Sequence, residues 1–368
     1  MVRARAYTAS LDSDKAFLFG NKQDADGFPY VGSGDDDDPF IIGITSLGLI
    51  DSCQQFASAS VFTLFHADAT FKLCDIGYPV ISFGFTDQAR SYQLGVLFVV
   101  SRRTSNEYAE CFRSFAQLVR KLRGRSLQID AAMGDAEDAQ YLALTSVPEF
   151  ADATVLMCFF HVLYNVRKKI QHLLPGDRYM IMRSIMDMHY SSNQQDYEAC
   201  QKRELERWRE FSHLTSFTTY FESEWINGRF WRWQVYHTPQ GYPTTNNPCE
   251  VFNAVIKAFV QRRRFHMRLL LQRLMDLIEA LELKKPVTPS YVAVTTSELV
   301  TAATEMINSK QIIVTKTNLH RTVCVKELRI PASEEVITYS AETISDFAAA
   351  FGDSADMVPA DPSRILYR

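Results

Sequence analysis

Between residues 61 and 160 the hydrophobic pattern changes period in a set order, and that order limits the possible folds more than any other feature of the chain. Runs rich in β-branched and aromatic residues at 61–68 ("VFTLFHAD"), 78–86 ("YPVISFGFT") and 92–100 ("YQLGVLFVV") read as strands. The turn-like "DQARS" joins the last two as a hairpin. A helix follows over Asn106–Leu122, with Tyr108, Phe112, Phe115, Leu118 and Val119 along one side. A strand at Leu127–Met133, a short helix from about Glu137 and a strand at Thr154–Phe160 complete the series. Upstream, "FIIGITSLGLIDSCQQFASAS" reads as an apolar strand and a short helix. The expectation is an α/β fold with a mixed sheet and flanking helices.

Three strands, a helix, a strand, a helix and a strand is the order of an RNase H-like domain, whose sheet holds an acidic metal site at its middle. Three acids fall where that topology requires them: on the first strand (Asp68), at the end of the fourth (Asp135) and on the helix after the fifth (Glu250). Each also has a plain explanation. Asp68 closes an apolar strand, where a carboxylate is costly unless paired or metal-bound; His66 shares its face. Asp135 could cap the following helix with Asp138 at the third position. Asp130, Glu137 and Asp138 are rivals for any metal role. In "TTNNPCEVFNAVIKAF", Asn247 as N-cap, Pro248 and Glu250 make a helix start that needs no catalysis. Jointly, order and acids agree.

The chain resembles the Mutator-like element (MULE) transposases in "HADATFKL", "YPVISFGFTDQARSYQLGVLFVVS", "MGDAEDAQYLAL", "VLMCFFHVLYNVRKK" and "TTNNPCEVFNAVIK", an ordered set spanning roughly residues 60 to 265. Cys158 and His161 match the CxxH motif of that group. The resemblance implies that Asp68, Asp135 and Glu250 are the catalytic, metal-binding DDE triad of a cut-and-paste DNA transposase. It implies two Mg²⁺ (or Mn²⁺) ions about 4 Å apart, hydrolysis at the transposon end, and strand transfer by the freed 3′-hydroxyl. A lone Cys–His pair falls short of the four ligands of structural zinc, so Cys158 and His161 are read as structural or site-shaping. Relatives often carry an N-terminal zinc-binding DNA reader and a C-terminal SWIM-type finger. Here the first 60 residues hold only Cys53, and the tail only Cys324 with His320. The alternative is a domesticated or truncated core that binds or regulates DNA without catalysis.

Charge locates the expected DNA surface. Residues 161–275 hold 17 Lys/Arg against 10 Asp/Glu, a surplus of seven that leaves −11 for the rest of a chain whose net charge is −4. Two basic runs stand out: Arg167, Lys168 and Lys169, and Lys257 with Arg262, Arg263, Arg264 and Arg268. The partners expected are double-stranded DNA and further copies of the chain, with no membrane, and the place of action is the nucleus. Seven scattered cysteines without a CxxC pair argue against a disulfide framework. The organisation expected is an N-terminal extension (1–55), a core in two parts (56–161 and 246–283), a helical insertion (162–245) holding all four tryptophans, and an appended region (284–368).

Overall fold

The computed structural model describes residues 1–56, 62–87, 90–239, 242–283, 297–309, 312–316 and 321–325. In chain order the elements are β1 (Ala16–Phe19), β2 (Lys22–Gln23), β3 (Pro29–Tyr30), β4 (Ile41–Ser46), α1 (Leu47–Phe56), β5 (Leu64–Thr70), β6 (Val80–Thr86), β7 (Tyr92–Val100) and α2 (Ser105–Arg123). Then come β8 (Ala131–Gly134), α3 (Asp138–Ser146), β9 (Thr154–Met157), α4 (Phe159–Ile170), α5 (Pro175–His189), α6 (Gln194–Arg209) and α7 (Thr215–Phe221). The series closes with α8 (Asn247–Phe259), α9 (Met267–Glu282), α10 (Ser297–Asn308), β10 (Ile312–Lys316) and β11 (Arg321–Val325). Short 3₁₀ and π turns lie between some of them.

Seven strands form one mixed sheet in the order β1-β4-β7-β6-β5-β8-β9. The pairs from β1 to β5 are antiparallel, while β5/β8 and β8/β9 are parallel. Alternation along each strand decides which helix layer it feeds. Phe17, Phe65, Phe83 and Phe98 face a core closed by Phe112, Phe115 and Val119 of α2 and by Ile50 and Phe56 of α1. Leu18, Ile42, Ile44, Leu97 and Val99 face the opposite core, closed by Ile256 of α8 and by Leu270, Leu274 and Ile278 of α9. Helix α2 is delimited by local chemistry: Thr104 and Glu107 form a capping box, and Gly124 ends it with φ of 67°.

Three expectations are corrected. The first 55 residues are no mere extension, because β1 and β4 extend the sheet beyond β7. The strand expected at 127–133 begins only at Ala131; before it, the Asp130 carboxylate accepts the Thr63 N–H at 2.8 Å. The strand expected to reach Phe160 ends at Met157, where α4 begins two residues on. The Val/Ile/Thr-rich pieces of the tail pair as the antiparallel hairpin β10/β11.

The described residues of Met1–Val166 and Tyr220–Val292 form one compact unit, and those of Arg167–Thr219 and Ala293–Arg368 a second. In the second, α5 and α6 are joined through buried Trp208, whose Nε1 donates to Ser184 Oγ at 3.3 Å; Ser184 donates to Glu204 at 2.6 Å. Trp225 and Trp233 are buried in the first unit, so most of the tryptophans serve packing.

Candidate active site

The parallel register of β5 and β8 brings two acids side by side. His66 pairs with Met133 across the strands, and two residues further along each lie Asp68 and Asp135. Gln140 of α3 ties these strand ends together: it donates to the Ala67 carbonyl at 2.8 Å and accepts the Asp135 N–H at 3.0 Å. A Cβ on Gly134 would stand 2.8 Å from the same Gln140 oxygen, so a side chain there would push the Gln140 amide out of this bridge.

Helix α8 supplies the third acid and most of the support. Asn246, Glu250, Asn253 and Lys257 recur at helical spacing and so share one side of the helix, while Cys249, Phe252 and Ile256 are buried. Asn253 Nδ2 donates to Asp68 Oδ2 at 2.7 Å, and its own oxygen accepts from Ser82 at 3.1 Å. The other oxygen of Asp68 accepts the Ala69 N–H at 2.7 Å. Asn246 Nδ2 donates to Asp135 Oδ1 and to the Ala67 carbonyl, both at 3.2 Å. Its oxygen receives His66 Nδ1 at 2.9 Å, and His66 Nε2 meets Thr86 Oγ1 at 2.9 Å. An amide oxygen only accepts, so Nδ1 of His66 carries the proton and Nε2 accepts from Thr86. The N-cap of α8 is therefore Asn246, not Asn247, and its side chain serves the site rather than capping the helix.

Cys158 and His161 open α4 beside these acids. The buried Cys158 Sγ accepts the Asn246 N–H at 3.1 Å. His161 Nδ1 lies 3.1 Å from Asp135 Oδ1. It is nonetheless out of line for a hydrogen bond and has no other partner. Ligand atoms of Asp135, Cys158, His161 and Glu250 all lie within 4.8 Å of one another.

Crowding these acids together sets their ionisation. Burial pushes Asp135 up to about 7, and the charge of Asp68 adds to the rise. Burial likewise raises Asp68, against the pull of the Ala69 and Asn253 hydrogen bonds and the charges of His161 and Lys257. Glu250 rises through burial, opposed by His161 and reinforced by Asp135 and Asp68. Burial lowers His161 against the pull of Glu250 and Asp68. Three carboxylates destabilised in their charged form, beside an unpartnered imidazole nitrogen, make a site short of positive charge.

The rival acids are engaged elsewhere. Asp130 bonds the Thr63 N–H, Glu137 pairs with Arg103 at 3.1 Å and Asp138 with Arg229 at 3.2 Å. Lys257 is half-buried on the α8 stripe, and Arg262, Arg263, Arg264 and Arg268 are exposed where α8 leads into α9. Arg167, Lys168 and Lys169 end α4 and belong to the other unit. Asn246, Asn253 and Gln140 escaped the sequence reading. For Asn253 the signal was present, since three residues after Glu250 it shares that residue's side of the helix.

Residues 64–165 match the family model described as the MULE transposase domain, and no curated protein matches the chain. Among the described residues, no helix is long and apolar enough to cross a membrane.

Proposed function

We propose, for a chain whose residues 64–165 match the MULE transposase domain, that Asp68, Asp135 and Glu250 form a DDE triad that cleaves DNA at transposon ends and transfers the freed 3′ ends to target DNA. The observation that carries this reading is the convergence of the three acids from β5, β8 and α8, each raised by burial, with the neighbouring carboxylates adding to the rise at Asp135 and Glu250. The run β7-β6-β5-β8-β9, three antiparallel strands followed by two parallel ones, supports an RNase H-like core. The helices between Asp135 and Glu250 support the reading of an insertion domain.

The site fits Mg²⁺: its triad offers hard carboxylate oxygens in a pocket that lacks compensating charge. Asp68, Asp135 and Glu250 would hold two ions, which supply charge neutralisation at the scissile phosphate and a more acidic attacking hydroxyl. The chain's own contribution is orientation. Asn253 and the Ala69 N–H fix both oxygens of Asp68, and Asn246 fixes one oxygen of Asp135. Each bonded oxygen keeps a lone pair for a cation. Lys257, near enough to act on Asp68, is suited to the phosphate flanking the cut. Arg262, Arg263, Arg264 and Arg268 extend a positive surface along the DNA backbone, and Arg167, Lys168 and Lys169 are proposed as a second contact. Action in the nucleus and assembly of several copies on paired DNA ends belong to the same proposal.

The test is strand cleavage of a duplex carrying the terminal repeats that flank the gene, with and without Mg²⁺. The reading expects Mg²⁺-dependent nicking by the natural protein. Asp68→Asn should bind the duplex normally and nick at least about 100-fold more slowly, as expected when a group stabilising the developing charge is lost. Equal nicking by both proteins would overturn the triad. Binding by both without nicking would favour a regulatory DNA-binding role.

A further inference from the structure

We propose that Cys158, His161, Asp135 and Glu250 form a site for one zinc-class ion, and that filling it blocks the Mg²⁺ chemistry of the triad. The site itself stands on geometry alone; the inhibitory half rests on the function proposed above.

From sequence, Cys158 and His161 supply only two donors. The fold supplies the other two, for ligand atoms of all four residues lie within 4.8 Å of one another. One sulfur, one imidazole nitrogen and two carboxylate oxygens match the four-coordinate preference of zinc. Thiolate and imidazole select zinc or cobalt, whereas Mg²⁺ favours oxygen alone, so this set and the triad choose different ions.

Three further features fit an ion here. Nδ1 of His161 is buried and lies 3.1 Å from Asp135 Oδ1 without a hydrogen bond, so a cation shared with that carboxylate would satisfy it. Cys158 and His161 are held in one turn by the His161 N–H to Cys158 carbonyl bond at 3.1 Å, so the pair arrives already spaced. The Asn246 N–H on Cys158 Sγ is an outer hydrogen bond of the kind that steadies a bound thiolate. On binding, the thiol proton is released to solvent. No other group of three or more His, Cys, Asp or Glu side chains gathers in this way among the described residues. Asp135 and Glu250 are common to both sets. A zinc-class ion therefore withdraws two of the three triad carboxylates and leaves Asp68 alone.

The experiment titrates the full-length protein with Co²⁺, a spectroscopic stand-in for Zn²⁺. One equivalent should give tetrahedral ligand-field bands together with a thiolate-to-cobalt charge-transfer band, all abolished by one equivalent of Zn²⁺. Cys158→Ser should lose the charge-transfer band, and His161→Gln should keep it. Each should bind at least as much more weakly as the loss of an outer partner would cause, about 10- to 100-fold. Circular dichroism checks the fold of both. Should Cys158→Ser fail to fold, His161→Gln, whose side chain is partly exposed, decides. Zn²⁺ should also stop Mg²⁺-dependent nicking, with a midpoint raised by the same factor in the variants, relative to each protein's zinc-free rate. A spectrum without the sulfur band, or unchanged affinity in the folded variants, overturns the site. Nicking that Zn²⁺ does not slow overturns the inhibition. Because the cobalt spectrum needs no DNA, a chain that shows the sulfur band but never nicks keeps this site and loses the transposase reading instead.

Discussion

His66 is buried, hydrogen-bonded through both ring nitrogens and held neutral, since burial draws its pKa down to about 4. In the unfolded chain histidine titrates near 6.5. Between about 6.5 and about 4 the unfolded state therefore binds a proton that the native state refuses. The stability His66 contributes is full above that window and lost as pH falls through it. Urea melts from pH 7.5 to 4.5 should show the natural protein losing stability more steeply than His66→Gln; equal slopes would contradict the assignment. Asn253 acts one step closer to the chemistry. Asn253→Ala frees Asp68 Oδ2 and should weaken Mn²⁺ binding by about 10- to 100-fold without altering DNA affinity. Unchanged Mn²⁺ affinity would mean that Asp68 is held by the Ala69 N–H alone. At this scale the candidate acids stood out in the sequence, because an aspartate in an apolar strand is costly unless paired or metal-bound. Their amide supports were not, because asparagine at a helix start is explained equally well as a cap. Only the fold reveals that Asn246 directs its side chain to His66 and Asp135.

Helix α8 combines three tasks: buried residues against the sheet, the Asn246–Glu250–Asn253–Lys257 stripe toward the acids, and an abrupt end. Gln261 and Arg262 end it with φ of 55° and 54°, a left-handed pair without glycine. Such residues cost about 1–2 kcal/mol each. Gln261→Gly should therefore raise unfolding stability by about 1 kcal/mol. No gain in a denaturant melt would contradict that strain. The turn leads the chain through Arg262, Arg263 and Arg264. If Arg263 meets a phosphate, Arg263→Ala should reduce the slope of log affinity against log salt by about 0.9. An unchanged slope would remove it from the interface. Elements with a strong period were legible: α2 from its apolar face, α8 from Pro248, and β5 to β7 from their β-branched runs. The short ones were not. The "AFLF" of β1 is buried on both sides and shows no alternation, and β8 is four residues long, its predicted start displaced because Asp130 turns to the Thr63 N–H.

Across the whole molecule, strand order does what no single motif could. By setting β5 between β6 and β8, the sheet buries the strand that carries Asp68 and aligns its end with that of β8. The order of strands and helices in the sequence already implied this mixed sheet. Strand β1, the pairing of β4 onto the edge of β7, and the bounds of the two compact units came only from the fold. Asp68, Asp135 and Glu250 should share one metal centre, and anomalous diffraction from crystals of the full chain soaked in Mn²⁺ tests that directly. The expected result is anomalous density enclosed by these three carboxylates, reduced or lost in Asp68→Asn. Density elsewhere with none between the three acids, or density indifferent to Asp68→Asn, would contradict it.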